Sequence, residues 1–93
     1  MADTASERVV IENVKGLHAR ASAKFVGAVA GLPDGTQVTV EKDGVSAGGS
    51  SILGLMMLGA AKGDEVTITV AGPEADVAVM RLVGLVKDRF GED

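Results

Sequence analysis

Apolar positions along this chain switch repeatedly between a two-residue period and a three-to-four-residue period. Val9, Val10 and Ile11, within Arg8–Glu12, predict a short β-branched strand. Asn13–Gly16 reads as a connecting loop. From Leu17 the spacing is helical, with Ser22, Phe25, Val26, Val29 and Leu32 on one side and Arg20 and Lys24 on another. Gly31 and Pro33 end that helix. Thr36–Lys42 alternates: Val38 and Val40 point one way, Gln37, Thr39 and Glu41 the other. Asp43-Gly44 is a two-residue hairpin signal, Val45–Ala47 a return strand, and Gly48-Gly49 its end.

Ser50-Ser51 opens a second apolar stretch, Ile52 to Leu58. A serine there caps the first turn of a short helix, which Gly54 and Gly59 weaken, so tertiary contacts must hold it. Asp64–Ala71 alternates again, with Val66, Ile68 and Val70 against Glu65, Thr67 and Thr69. Gly72-Pro73 breaks it. Pro73 suits the first position of a last helix, with Glu74 and Asp76 in its first turn. Ala75, Ala78, Val79, Leu82, Val86 and Phe90 give that helix an apolar face, and Gly91 ends it. The order is βαββαβα. Strands with one polar face predict an α+β fold: an antiparallel sheet wetted on one side and covered by helices on the other.

The 93 residues contain no repeat, linker or low-complexity segment and are expected to form one domain, 1–93, with residues 1–6 as a flexible polar tail. That polar, acidic start does not read as a signal peptide. Hydrophobic residues make up 46%, but there are only two Phe and neither Trp nor Tyr, so Val, Leu, Ile, Ala and Met must build the core. A formal charge of −4 argues against nucleic acid as a partner. No Cys and one His leave no disulfide framework, and neither metal nor cofactor is expected. No apolar run is long enough to span a bilayer. A soluble cytoplasmic protein that binds no membrane is the expectation.

The single histidine, His18, lies in Gly16-Leu17-His18-Ala19-Arg20, where the helical pattern begins. A nucleophile there is close to unpaired backbone N–H groups at Ala19 and Arg20, which suit an incoming phosphoryl group. The helix end favours the neutral imidazole whose lone pair must attack. Arg20 adds a charge-assisted contact, and Gly16 lets the chain bend into the helix. A carrier must also release the group, so a shallow site with one arginine fits better than a cage of cations. The plain alternative is a surface histidine that happens to open a helix.

The pentapeptide resembles the phosphohistidine signature of the HPr family, carriers of the bacterial phosphotransferase system. Val9-x-Ile11-x-Asn13 resembles the family's first strand, Ser51-Ile52-Leu53-Gly54-Leu55-Met56-Met57-Leu58 its second conserved segment, and Gly63-Asp64-Glu65-Val66 the start of its fourth strand. The resemblance implies an open-faced β-sandwich, a four-stranded antiparallel sheet covered on one face by three helices. It implies a monomeric, stoichiometric phosphoryl carrier rather than a free-standing enzyme. His18 would accept the group at Nδ1 from phosphorylated enzyme I, charged by phosphoenolpyruvate, and pass it to a histidine of an EIIA-type protein. Arg20 would contact the phosphoryl group in both steps. Most sugar-type members have proline after the arginine; here it is Ala21. Ala21-Ser22-Ala23-Lys24-Phe25 is more similar to the nitrogen-type branch, NPr.

By the same resemblance, Ser51 matches a regulatory serine phosphorylated by HPr kinase/phosphorylase, although Ser50 replaces the usual basic residue before it. Read from the residues, Ser51 is an N-cap. Leu55 and Leu58 are expected to face the sheet. Ile52, Leu53 and Met56, together with Leu17, would then form an apolar docking patch for partners, with Met adapting its shape to several surfaces. Two further functional classes fit less well. One is a regulatory interaction module controlled by phosphorylation at His18 or Ser51. The other is a domain that binds an acidic metabolite at the His18 helix end.

Overall fold

The computed structural model describes residues 3–92. Strands β1 (Thr4–Val10), β2 (Gln37–Lys42), β3 (Val45–Gly48) and β4 (Glu65–Ala71) form one antiparallel sheet in the order β1-β4-β2-β3. Helices α1 (Ala19–Ala30), α2 (Ile52–Met57) and α3 (Ala75–Lys87) complete the βαββαβα order, and a 3-10 turn follows at Arg89–Gly91. The fold is the expected open-faced sandwich.

The alternation of β-branched residues builds the covered face. Val9, Val66 and Ile68, with Val38, Val40 and Val70, are buried under the helices. Register explains their alignment: Val9 stands opposite Val66, and Val40 opposite Ile68. From α1, Ala21, Phe25 and Val29 join this core; from α3, Ala75, Ala78, Val79, Leu82, Val83 and Val86 do. The other sheet face is polar, and Ser6 and Thr69 share a 2.8 Å hydroxyl hydrogen bond across β1 and β4. The sheet is thus wetted on one side, as the strand pattern requires.

Three boundaries differ from expectation. Residues 1–6 were expected to form a tail, yet β1 begins at Thr4, and Thr4, Ala5 and Ser6 pair with Ala71, Val70 and Thr69. Backbone pairing to β4 does not need apolar side chains, so a polar segment serves as an edge strand. Residues 1 and 2 of that tail lie outside the described residues. Pro73 is not the first helical position. Glu74 intervenes as N-cap with φ 53°, and α3 starts at Ala75. At the other end α3 stops at Lys87. Arg89 and Phe90 both take left-handed backbone conformations, with φ 57° and 55°. Phe90 nonetheless stays in the core, at 1% exposure. The turn swings the chain back over α1, where the Lys24 ammonium donates a 2.6 Å hydrogen bond to the Phe90 carbonyl.

Candidate functional site

The segment before α1 folds locally around Gly16. Its φ is +63°, and a Cβ there would lie 2.3 Å from the Ala60 carbonyl oxygen, so only glycine fits. Leu17 then donates its N–H to the same carbonyl at 2.9 Å. This joint sets His18 in extended backbone as the N-cap of α1. Ser22 closes the first turn through its N–H to the His18 carbonyl.

The two ring nitrogens of His18 have different partners. Nδ1 accepts a 3.3 Å hydrogen bond from the backbone N–H of Arg20. Nε2 faces the Glu92 carboxylate, 3.1 Å from Oε1 and 3.0 Å from Oε2. An acceptor at one nitrogen and a donor at the other assign the neutral tautomer with the proton on Nε2. The Nδ1 lone pair therefore sits at the helix mouth, among N–H groups that favour negative charge. The imidazole is 27% exposed and Glu92 14% exposed.

Glu92 is held in turn by Asn13, whose side-chain amide is buried. Its Nδ2 donates to Glu92 Oε1 at 3.1 Å and to the Gly16 carbonyl at 2.8 Å. The hydrogen bond from His18 is the main reason the Glu92 carboxyl lies below its ordinary value of 4.5. Burial pushes the other way, and the Asn13 amide and the charge of Lys24 add to the lowering. His18 opens onto a depression lined by Val14, Lys15, Arg20, Lys24, Gly91 and Glu92. Three cations border it rather than the single arginine expected from the sequence. A separate, more apolar groove between Leu32, Pro33, Pro73 and Val77 contains no member of this constellation. No group of His, Cys, Asp and Glu residues suited to hold a metal occurs among the described residues.

His18, Ala19 and Arg20 thus come together at one helix end. Ser51 caps α2 by accepting the Gly54 N–H at 2.9 Å. Leu55 and Leu58 are buried, whereas Ile52, Leu53, Met56 and Met57 are exposed. Leu17 corrects the expected docking patch: it is 7% exposed and belongs to the core, because its backbone is drawn inward onto Ala60. Helix α2 packs against α1, but Ile52, Leu53 and Met56 do not line the depression around His18. Sequence reasoning missed Glu92 and the part played by Asn13, which it read only as the start of a connecting loop. It placed Lys24 on the same face as Arg20 but gave it no role at the site.

A neutral imidazole capping a helix at the rim of an open-faced sandwich defines a phosphoryl-carrier domain. The PTS HPr component phosphorylation site family matches residues 5–88. The phosphocarrier protein HPr of Pseudomonas aeruginosa is 42% identical over 85 residues, covering 90% of this chain and 92% of that protein. Its counterpart in Cupriavidus necator is 40% identical over 82 residues, covering 88% and 90%. The crystal structure of HPr from Thermoanaerobacter tengcongensis superposes with a TM-score of 0.87 at 35% identity, covering 96% of this chain and 98% of that one. The chain belongs to the HPr family. It is a phosphocarrier of the phosphotransferase system, a relay component that exchanges phosphoryl groups with other phosphotransferase proteins and not an enzyme in its own right. No helix among the described residues is long and apolar enough to cross a membrane.

Proposed function

We propose that His18 carries the phosphoryl group on Nδ1, taking it from phosphorylated enzyme I and passing it to a histidine of an EIIA-type protein in the cytoplasm. The observation that supports this most directly is the Nδ1 lone pair at the mouth of α1, 3.3 Å from the Arg20 N–H, with Nε2 occupied by Glu92. In the first step the Nδ1 lone pair attacks phosphorus. The N–P bond of the donor breaks, and its electron pair stays on the donor ring. The Arg20 N–H and other first-turn amides then face the transferred oxygens, and the Arg20 guanidinium adds a charge-assisted contact.

Ile52, Leu53 and Met56 form the partner-docking patch in this reading, supported by their exposure on a helix packed beside α1. Regulatory phosphorylation of Ser51 by a kinase of the HPr kinase/phosphorylase type is a secondary reading. A phosphate there would add about −1.5 to −2 charges at a helix N-terminus beside that patch. The Ala21-Ser22-Ala23-Lys24-Phe25 continuation favours a nitrogen-type relay as the pathway served.

The test is incubation with enzyme I, Mg²⁺ and labelled phosphoenolpyruvate. The protein gains an acid-labile, base-stable label that His18→Ala abolishes. Label that persists in that variant would place the acceptor elsewhere. Discharge of the labelled protein to a panel of EIIA domains then identifies the acceptor.

A further inference from the structure

We propose that Glu92 is a positioning residue that keeps the Nε2 proton on His18 while Nδ1 carries the phosphoryl group, and thereby keeps that group transferable. This rests on the carrier reading above. When Nδ1 uses its lone pair to bond phosphorus and Nε2 keeps its proton, the ring becomes an N-phosphoryl imidazolium. Onward transfer then breaks the N–P bond, returns the electron pair to Nδ1 and leaves a neutral imidazole. If the Nε2 proton is lost first, the leaving group is an imidazolate, a far poorer one, and the phosphoryl group is trapped.

The surroundings of the ring set the balance. Lys15, Arg20 and Lys24 border the same depression, and their charges oppose a cationic ring. Glu92 is the one anionic side chain lining it among the described residues. In the free protein the Arg20 N–H donates to the Nδ1 lone pair. Phosphorylation consumes that lone pair and frees the N–H for a phosphoryl oxygen. The carboxylate at Nε2 remains, and it is fixed. Asn13 holds one oxygen, and the chain just before it is anchored by buried Phe90 and by Lys24 on the Phe90 carbonyl.

The experiment uses ¹⁵N-histidine-labelled wild type, Glu92→Ala, Glu92→Gln and Glu92→Asp, read by NMR before and after phosphorylation. The hydrolysis rate of the phosphorylated forms is also followed against pH. In the free wild type the Nε2–H tautomer dominates; in Glu92→Ala the two tautomers mix. Phosphorylated Glu92→Ala and Glu92→Gln lose lability at a pH lower than wild type by about half a unit or more. Glu92→Gln keeps the tautomer, since its amide oxygen still accepts, which separates the hydrogen bond from the charge. Glu92→Asp restores most of the pH range. Wild-type tautomers in Glu92→Ala, or an unmoved pH profile in Glu92→Ala and Glu92→Gln, overturn the proposal. Failure of enzyme I to label even the wild type would instead sink the carrier reading, while the tautomer measurement on the free protein still decides what Glu92 does.

Discussion

Nε2 of His18 and the carboxylate of Glu92 meet at 3.0 Å although 74 positions separate them in the chain. The contact lowers the Glu92 carboxyl below 4.5, with the hydrogen bond from His18 as the largest cause. A depressed carboxyl contributes stability that is present above the unfolded-state value and is lost as pH falls through the folded one. The thermal midpoint of wild type should therefore exceed that of Glu92→Gln near neutral pH. The gap should close progressively as pH drops below 4.5. Melting curves by circular dichroism from pH 7 to pH 3 check this, and a gap that widens with acid would contradict it.

Arg20 is solvent-exposed, and its side chain makes no ion pair among the described residues. Its guanidinium is free to meet the incoming phosphoryl group. Arg20→Ala should leave the melting temperature within about one degree or two, since exposed substitutions away from special features cost little. Transfer from enzyme I should slow by on the order of a hundredfold, the lower end of the scale for removing one transition-state donor. Stopped-flow transfer at the wild-type rate would exclude the proposed contact.

Gly16 and Ala60 test the joint beneath the histidine. Any side chain at position 16 meets the Ala60 carbonyl and must also adopt φ +63°. Gly16→Ala should cost about 1–3 kcal/mol from backbone strain alone. It should also slow transfer by displacing His18 from the α1 mouth. Urea denaturation combined with the labelling assay measures both effects. The analogous change at Gly27, where an added Cβ meets nothing within 4 Å, should leave both close to wild type.

Leu55 and Met56 are neighbours with opposite surroundings: Leu55 is fully buried and Met56 is 40% exposed. Leu55→Ala should destabilise the fold by about 2–5 kcal/mol. Met56→Glu should leave the circular dichroism spectrum and melting temperature near wild type but weaken binding to enzyme I. Calorimetric titration showing unchanged affinity would remove Met56 from the docking surface.

Ser51 holds the first turn of a six-residue helix that contains a glycine. Ser51→Ala removes the oxygen that accepts the Gly54 N–H and should cost about 1 kcal/mol. Ser51→Asp keeps an acceptor and should recover most of that loss. Chemical denaturation of the three proteins decides the point.

Much of this was legible in the sequence because it is local. His18 as a helix opener and Ser51 as a cap follow from residues within one turn of each. The alternation in Thr36–Lys42 and Asp64–Ala71 places every core valine of β2 and β4. Glu92 was not legible. Its place depends on two non-glycine residues, Arg89 and Phe90, taking left-handed backbone conformations, and on Lys24 holding the carbonyl between them and Gly91. No periodicity encodes that reversal; an apolar Phe90 at helical spacing suggests instead that α3 continues. Leu17 misled for a related reason. An apolar residue beside the proposed phosphoryl acceptor suggests a docking surface until the backbone hydrogen bond to Ala60 shows which way it is drawn. The polar Thr4–Ser6 segment reads as a tail because strand pairing at a sheet edge uses the main chain.

Ile52, Leu53 and Met56 stand apart from the residues bordering His18. With docking on α2 and phosphoryl transfer at His18, as proposed, choice of interlocutor and handling of cargo are written on separate stretches of the chain. Substitutions in the short helix could rewire which proteins this carrier serves without retuning the imidazole, so parallel relays in one cell could be insulated from crosstalk while running identical chemistry.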